Sequence, residues 1–399
     1  MKIQARTILN HSPLGSGGVS QFTLPEDRKV TRITTFIPEE DGPGPMHAYL
    51  IEDTKLILVD TGIPTGFLKE LSRFWQRGST PSHIKDLPDD YSEQELIRGI
   101  NAAGHSVKDI DILFITHGHP DHYLIGNSIV EKSGARVLAH LLDTGSIHNP
   151  WRFILEGVEL WTSILLTGMP VPRGRIKKLR EAMKRIIMDQ QDSVSLNVDE
   201  AILSDGPLTA RGYKSEWIEV RHFPGHSPGG LCLILGTDME ENRVMISGDT
   251  LLYPISPHPD NLVDYLATLR DFMMLEGISL VLPAHGETIE DFHGRVSFLK
   301  EHHKKRLRLT YDFCNSPGTI WEIANIPGYF DIPLNPKVFN PMAGREALIH
   351  VELLEKAGGL TRSHYEGPVC YFRNKGRPFE EVYEQAMEIV EKGRANRLS

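Results

Sequence analysis

The chain has 399 residues, enough for one large or two moderate domains, and its 40% hydrophobic and 24% charged content is that of an ordinary soluble globular protein. A net charge of −10 argues against a broad nucleic-acid-binding surface, which would be basic, and the local basic runs at 173–185 and 300–308 fit solvated helix faces. Only Cys232, Cys314 and Cys370 occur, with no C-x-x-C pair, which argues against a disulfide framework or a thiolate metal site.

In chain order, "MHAYLIEDTKLILVDTG" (46–62) reads as a hairpin whose second strand ends at Asp60. An irregular segment covers about 76–92. "SEQELIRGINAAG" follows as a helix, with Ser92 and Glu95 spaced as a capping box and Gly104 at its end. "DIDILFITH" is a buried strand, "PDHYLIGNSIVEKSG" a short helix between Pro120 and Gly134, and "ARVLAH" the next strand. This alternation indicates an α/β core.

The middle differs. "WRFILEGVELWTSILLTGMP" (151–170) is apolar on more than one face, and "RIKKLREAMKRIIMDQ" (175–190) is an amphipathic helix. Arg152, Glu156 and Glu159 argue against a membrane span, so the insert of about 151–190 reads as a helical lid over an apolar pocket or as a subunit contact. The second alternative would make the protein a homodimer. Strands return in "EWIEVRHFPGHSPGGLCLIL", where Cys232 is a core residue, and in "RVMISGDTLL". A helix of about 261–275 precedes the strand "ISLVLPAHG". The tail is richer in helix. Within it, "AGREALIHVELLEKAGGLTRSHYEGPVCYFR" reads as a helix, a Gly-Gly break and a hairpin, a small winged-helix-like appendage. The N-terminus lacks the apolar core and cleavage site of a signal peptide and no apolar run reaches membrane-span length, so the protein reads as cytoplasmic.

The chemistry concentrates in "FITHGHPDHYLIGN" (114–127). His117 and His119 are two apart, so at a strand end they point to the same side. Asp121 and His122, adjacent at the start of a helix, splay apart. One turn can thus offer two imidazoles to one point and a carboxylate with a third imidazole to another a few ångströms away. Three further metal-competent side chains follow buried strands: His226 in "FPGHSPGG", Asp249 in "MISGDTLL" and His285 in "VLPAHGE".

With "DTG", "THGHPDH", "PGHSPG", "SGDTLL" and "PAHG" in this order, the chain resembles the metallo-β-lactamase superfamily of metallohydrolases over about residues 30–300. The resemblance implies an αββα sandwich with a metal site at the edge between the sheets. It implies a catalytic domain at 1–300, carrying the insert, and a mainly helical appendage at 301–399. Carried over, it assigns His117, His119 and His226 to one metal, Asp121, His122 and His285 to a second, and Asp249 to a bridge, with Asp60 in support. Such N and O ligands suit zinc first, and also iron or manganese. Two close divalent ions lower the pKa of a bridging water, and the resulting hydroxide attacks a carbonyl. Asp121 would orient that oxygen and handle its proton.

Among β-lactamases of this superfamily the second site commonly uses a cysteine, whereas Asp249 stands at the corresponding strand end here. The pattern looks more like glyoxalase II-type thioesterases, lactonases and related nucleases, and the tail like that of β-lactamase-like protein 2-type hydrolases. The leading expectation is a hydrolase of an ester, thioester or lactone in a small, partly hydrophobic substrate. The alternatives are a nuclease or phosphodiesterase, a mononuclear iron sulfur dioxygenase, and a binding module with an inert metal. His47, His222 and His258 lie near the motifs and favour structural over catalytic roles. His302, His303, His350 and His364 read as surface or core residues of the tail, and Tyr253 and Trp161 as pocket walls or simple packing.

Overall fold

The computed structural model describes residues 3–38, 44–75, 82–150, 168, 181, 195–237, 241–330, 333–335, 340–363, 369–374 and 376–398. The insert, with Trp161, therefore falls almost wholly outside the described residues, as does His364. The chain divides into two compact units, one of residues 1–153, 182–257 and 275–292, the other of 154–181, 258–274 and 293–399.

The first unit holds two sheets. One has eight strands in sequential order: β1 (Gln4–Leu9), β2 (Val19–Thr23), β3 (Lys29–Thr35), β4 (Met46–Glu52), β5 (Leu56–Val59), β6 (Ile112–Phe114), β7 (Arg136–His140) and β8 (Glu200–Ile202). β1 to β5 pair antiparallel and β5 to β8 parallel. The other runs β13-β12-β11-β10-β9, from β9 (Gly206–Ala210), β10 (Tyr213–His222), β11 (Leu231–Leu235), β12 (Arg243–Gly248) and β13 (Ile278–Pro283).

The sheets face each other across one apolar core. Tyr49, Ile51, Val59 and Phe114 meet Val220, Leu233, Ile246 and Leu282 there. On β4, Ala48 and Leu50 are buried too, because the strand is covered on both faces. That explains why its sequence runs apolar without alternation. The helix Tyr91–Ala102 lies on the outer side, where Gly99 is close against Ile33 of β3. This is the expected α/β sandwich.

Parallel pairing decides where chemistry can sit. β5, β6 and β7 end at one sheet edge, which places Asp60, the 117–122 turn and the turn after His140 together. β12 and β13 are also parallel and end at Asp249 and His285. Carboxyl ends of parallel strands leave a crevice that side chains from several loops can share.

Some elements depart from expectation. The helix Thr65–Trp75 and strands β1 to β3, β8 and β9 carried no recognised signal. The capping box is a correction. The helix begins at Tyr91 with Asp90 in the cap position, and Ser92 and Glu95 are buried inside it. The Ser92 hydroxyl meets Thr65 Oγ1 at 2.8 Å, and Glu95 Oε1 accepts from Ser16 at 2.7 Å. Tertiary partners have taken the groups that a cap would use.

The second unit contains helices Leu262–Met273, Phe292–Phe313, Ile320–Ala324, Pro341–Lys356 and Phe379–Leu398, the first residue of the second of these falling in the other unit. A small sheet, ordered β14-β16-β15, joins β14 (Gly318–Thr319), β15 (Leu360–Ser363) and β16 (Cys370–Arg373). The hairpin β15–β16 follows the Gly358-Gly359 break. No described helix is long and apolar enough to cross a membrane.

His303, Glu346 and His350 are fully buried in this unit. The His350 Nδ1–H donates to Glu346 O at 2.7 Å, so its Nε2 accepts from His303 Nδ1 at 3.1 Å. Burial pushes the His350 imidazole down to about 4, although the Glu346 carboxylate opposes the shift. An unfolded chain protonates His350 below about 6.5 whereas the folded one does not. Stability is therefore expected to fall as pH drops from about 6.5 toward 4, by on the order of 3 kcal/mol from this residue. Urea unfolding of wild type and His350→Gln between pH 7 and 4.5 checks this. The variant should show the shallower pH slope, and equal slopes would remove His350 from the account.

Candidate metal centre

The seven expected side chains all come to the edge between the two sheets of the first unit. His226 Nε2 lies 3.2 Å from His117 Nε2 and 3.0 Å from His119 Nδ1. The two-residue spacing of His117 and His119 does put both rings on one side, with centroids 4.6 Å apart. The second group forms beside it. His285 Nε2 is 3.4 Å from Asp121 Oδ2, and His122 Nε2 is 3.8 Å from Asp121 Oδ1. Asp249 stands between the groups. Its Oδ2 faces His226 Nε2 at 3.7 Å, while Oδ1 lies 3.6 Å from His122 Nε2 and 3.7 Å from His285 Nε2.

Hydrogen bonds behind the rings fix which nitrogen faces inward. Asp60 adopts the left-handed conformation (φ 57°), which aspartate tolerates better than most side chains. Its Oδ1 accepts from Thr116 N at 2.8 Å, and its Oδ2 accepts from Thr116 Oγ1 at 2.7 Å and from His122 Nδ1 at 2.8 Å. The Thr116 hydroxyl, having donated its proton, accepts from His117 Nδ1 at 3.1 Å. His285 Nδ1 donates to the carbonyls of Gly44 and Pro45, each at 3.2 Å. In the neutral form His117, His122 and His285 therefore all present a bare Nε2 to the site. A metal-binding histidine almost always has such an acceptor behind its ring.

The donor set fits a metal. Among the described residues, the buried atoms His122 Nε2, His285 Nε2 and Asp249 Oδ1 have no hydrogen-bond partner. Three overlapping trios have ligand atoms within 4.8 Å of one another: His117, His119 and His226; His117, His122 and Asp249; Asp121, His122 and His285. Burial and the facing imidazoles hold His117 and His119 well below the ordinary histidine range, so both rings are neutral at pH 7. Burial also opposes a proton on His122, but Asp121, Asp249 and Asp60 outweigh it and raise its pKa well above normal. Asp249 and Asp121 likewise raise His285 against its burial. Asp121 and Asp249 are depressed, because nearby imidazoles outweigh their burial. A divalent ion held here would take the place of the protons on His122 and His285.

The other histidines act as supports. The His47 Nε2–H donates to Gly286 O at 2.9 Å, its Nδ1 accepts from Thr34 Oγ1 at 3.0 Å, and its backbone N–H donates to Ala284 O at 2.7 Å. It thus pins the loop that carries His285. His222 stacks on His140, and Tyr253 is 42% exposed beside that same loop, its carbonyl accepting from Glu287 N at 2.7 Å. His258 belongs to the second unit, where its Nδ1 lies 2.5 Å from Glu346 Oε2. The contacts of Thr116 and Asp143 and the donor role of His47 carry no motif signal in the sequence. Each is an ordinary residue whose partners are distant in the chain.

A fourth group with ligand atoms within 4.8 Å, His303, Glu346 and His350, lies in the second unit. Arg306 Nη1, 2.5 Å from Glu346 Oε1, and His258 already occupy that carboxylate. A cation 4 Å from the guanidinium would be repelled by roughly 4 kcal/mol per unit charge even at an effective dielectric of 20. This group is a structural network.

A two-sheet sandwich with clustered histidines and carboxylates at one edge defines a class of metal-dependent hydrolase folds. The sequence profile of the metallo-beta-lactamase superfamily matches residues 41–289, and the chain belongs to that superfamily. Members are generally hydrolytic enzymes, and membership together with these clusters indicates a metal-dependent hydrolase. Among solved structures it is similar to a metallo-beta-lactamase family protein from Thermus thermophilus, at 23% identity and TM-score 0.62, over 86% of this chain and 98% of that one. It is also similar to a beta-lactamase domain protein from Burkholderia ambifaria, at 20% identity and TM-score 0.65, over 91% and 96% of the two chains. These two likenesses concern the fold. No curated protein matches the chain.

Proposed function

We propose that the protein is a dinuclear metal hydrolase acting on an ester, thioester or lactone carbonyl of a small, partly hydrophobic substrate. The observation that carries the reading is the pair of converging trios with Asp249 between them. His117, His119 and His226 would hold one ion, Asp121, His122 and His285 the other, and one oxygen of Asp249 would serve each. Bound there, divalent ions, zinc in the first place, would supply Lewis acidity and lower the pKa of a bound water.

The chain's own residues do the rest. Asp60 holds the His122 ring in the tautomer that leaves Nε2 bare, directly, and the His117 ring through Thr116. Asp121 has a side chain 24% exposed, whereas those of His122, Asp249 and His285 are at most 9% exposed. Substrate and solvent can therefore reach Asp121, which suits it to accept a proton at a carboxylate oxygen and pass it on. Residues 1–300 would form the catalytic domain and 301–399 a winged-helix-like appendage, with β14-β16-β15 as its sheet.

Elemental analysis of the purified protein should find close to two transition-metal ions per chain, and hydrolysis should appear on thioesters or lactones before RNA. One tightly held ion, with oxygen consumed on a persulfide substrate, would replace this reading with the sulfur dioxygenase. Cleavage of RNA alone would replace it with the nuclease.

A further inference from the structure

We propose that Asp143, which is not among the candidate ligands, is the positioning residue of the His117–His119–His226 trio. It clamps the turn that carries the first two imidazoles to the loop that carries the third. The proposal rests on the metal-centre reading above.

Asp143 is 2% exposed, in the turn that follows β7. Its Oδ2 accepts from Gly118 N at 2.8 Å and from Ser227 Oγ at 3.0 Å, and its Oδ1 accepts from Gly229 N at 2.9 Å. Gly118 lies between His117 and His119, and Ser227 follows His226. One carboxylate thus spans both ligand-bearing segments, across 25 residues of chain in one direction and 84 in the other.

The approach requires glycine at 229 and leaves little room for a side chain at 118. A Cβ on Gly118 would stand 3.2 Å from Asp143 Cβ, and one on Gly229 only 2.6 Å from Asp143 Cγ. The same turn makes a second tie. The His140 ring stacks on His222 at 3.9 Å with 13° between planes, and the His222 Nε2–H donates to Pro228 O at 2.9 Å.

Such a clamp has a physical task. His226 Nε2 faces two ring nitrogens at 3.0 and 3.2 Å, and it carries at most one proton, so it can donate to only one of them. The three nitrogens cannot satisfy each other, and their convergence has to be imposed from outside. The neighbouring trio is supported differently, by Asp60 behind His122 and by the carbonyls of Gly44 and Pro45 behind His285. Loss of Asp143 should therefore loosen one ion and spare the other.

The test titrates the metal-free full-length protein with cobalt(II), read by visible absorption and by a competing chelator. Asp143→Asn and Asp143→Ala are compared with two reference variants, His226→Ala and His285→Ala. Asp143→Asn keeps the shape but has one acceptor oxygen, so it cannot serve all three donors. One cobalt ion should bind about 10- to 100-fold more weakly while the other stays within about threefold of wild type. The remaining spectrum should match His226→Ala rather than His285→Ala.

Equal weakening of both ions, a spectrum like that of His285→Ala, or no change would overturn the clamp. Far-UV circular dichroism of the metal-free variants guards against simple misfolding. If the Asp143 variants do not fold, Ser227→Ala, which removes one of the three bonds, should weaken the same ion by a smaller factor, and no weakening there would also overturn the clamp. A wild-type chain binding one cobalt ion would sink the dinuclear reading separately. The clamp would then stand only if that ion loosens in Asp143→Asn.

Discussion

Asp249→Ala is expected to lose metal and activity together, with turnover falling at least about a thousandfold, since even residues behind metal ligands cost 10- to 100-fold. Asp249 faces both trios, with Oδ2 3.7 Å from His226 Nε2 and Oδ1 3.6 Å from His122 Nε2. On the proposed reading, its removal would take a ligand from each ion at once. It also leaves the raised imidazoles of His122 and His285 with less compensating charge in a buried site. The metal-free variant should therefore be less stable than metal-free wild type, by up to about 3–5 kcal/mol. Asp249→Asn keeps the packing and separates the two effects. His119→Ala should lose activity with Asp249→Ala but keep the second trio intact. The checks are metal content by elemental analysis, turnover on the substrate found by screening, and circular dichroism. Full activity in Asp249→Ala would end its assignment to the bridge.

Asp121→Asn is expected to keep the fold and lower kcat by at least about a hundredfold, the lower end of what a positioned general base contributes. The amide keeps the size and one oxygen toward His285, now 3.4 Å from Asp121 Oδ2, but loses the negative charge and the proton acceptor. The carboxylate is held ionised because His122 and His285 outweigh its burial, so at neutral pH it is in the unprotonated form that the proposed role requires. The assay should run at saturating metal, so that lost occupancy is not mistaken for lost chemistry. A rate within a few-fold of wild type under that condition would leave Asp121 as a replaceable ligand and assign the proton to another group.

What the sequence could determine was local. His117 and His119 lie in the bend beyond β6 rather than on the strand, yet their two-residue spacing still brings the rings together, with centroids 4.6 Å apart. Apolar runs ending in Asp60, Asp249 and His285 marked strand ends, and His226 stands in the polar turn after another strand, since a buried strand and an exposed polar turn differ sharply in composition. The order of these segments carried the family. By contrast, β1 to β3, with burial that mixes faces and exposed positions, left no clear period to read.

The tertiary structure decided everything that depends on partners far apart in sequence. Ser92 and Glu95 have the spacing of a cap, yet Thr65 and Ser16 claimed them, because a buried polar group takes whichever partner the packing supplies. His350, on an amphipathic helix, proved fully buried against His303. Asp143 looks like any aspartate in a turn. Its meaning comes from Gly118 and Gly229, which only the pairing of two sheets brings to the same carboxylate. The residue types that can hold a metal are a property of the chain. Which nitrogen His117, His122 and His285 turn inward is a property of the acceptor behind each ring, and that acceptor is placed by the fold.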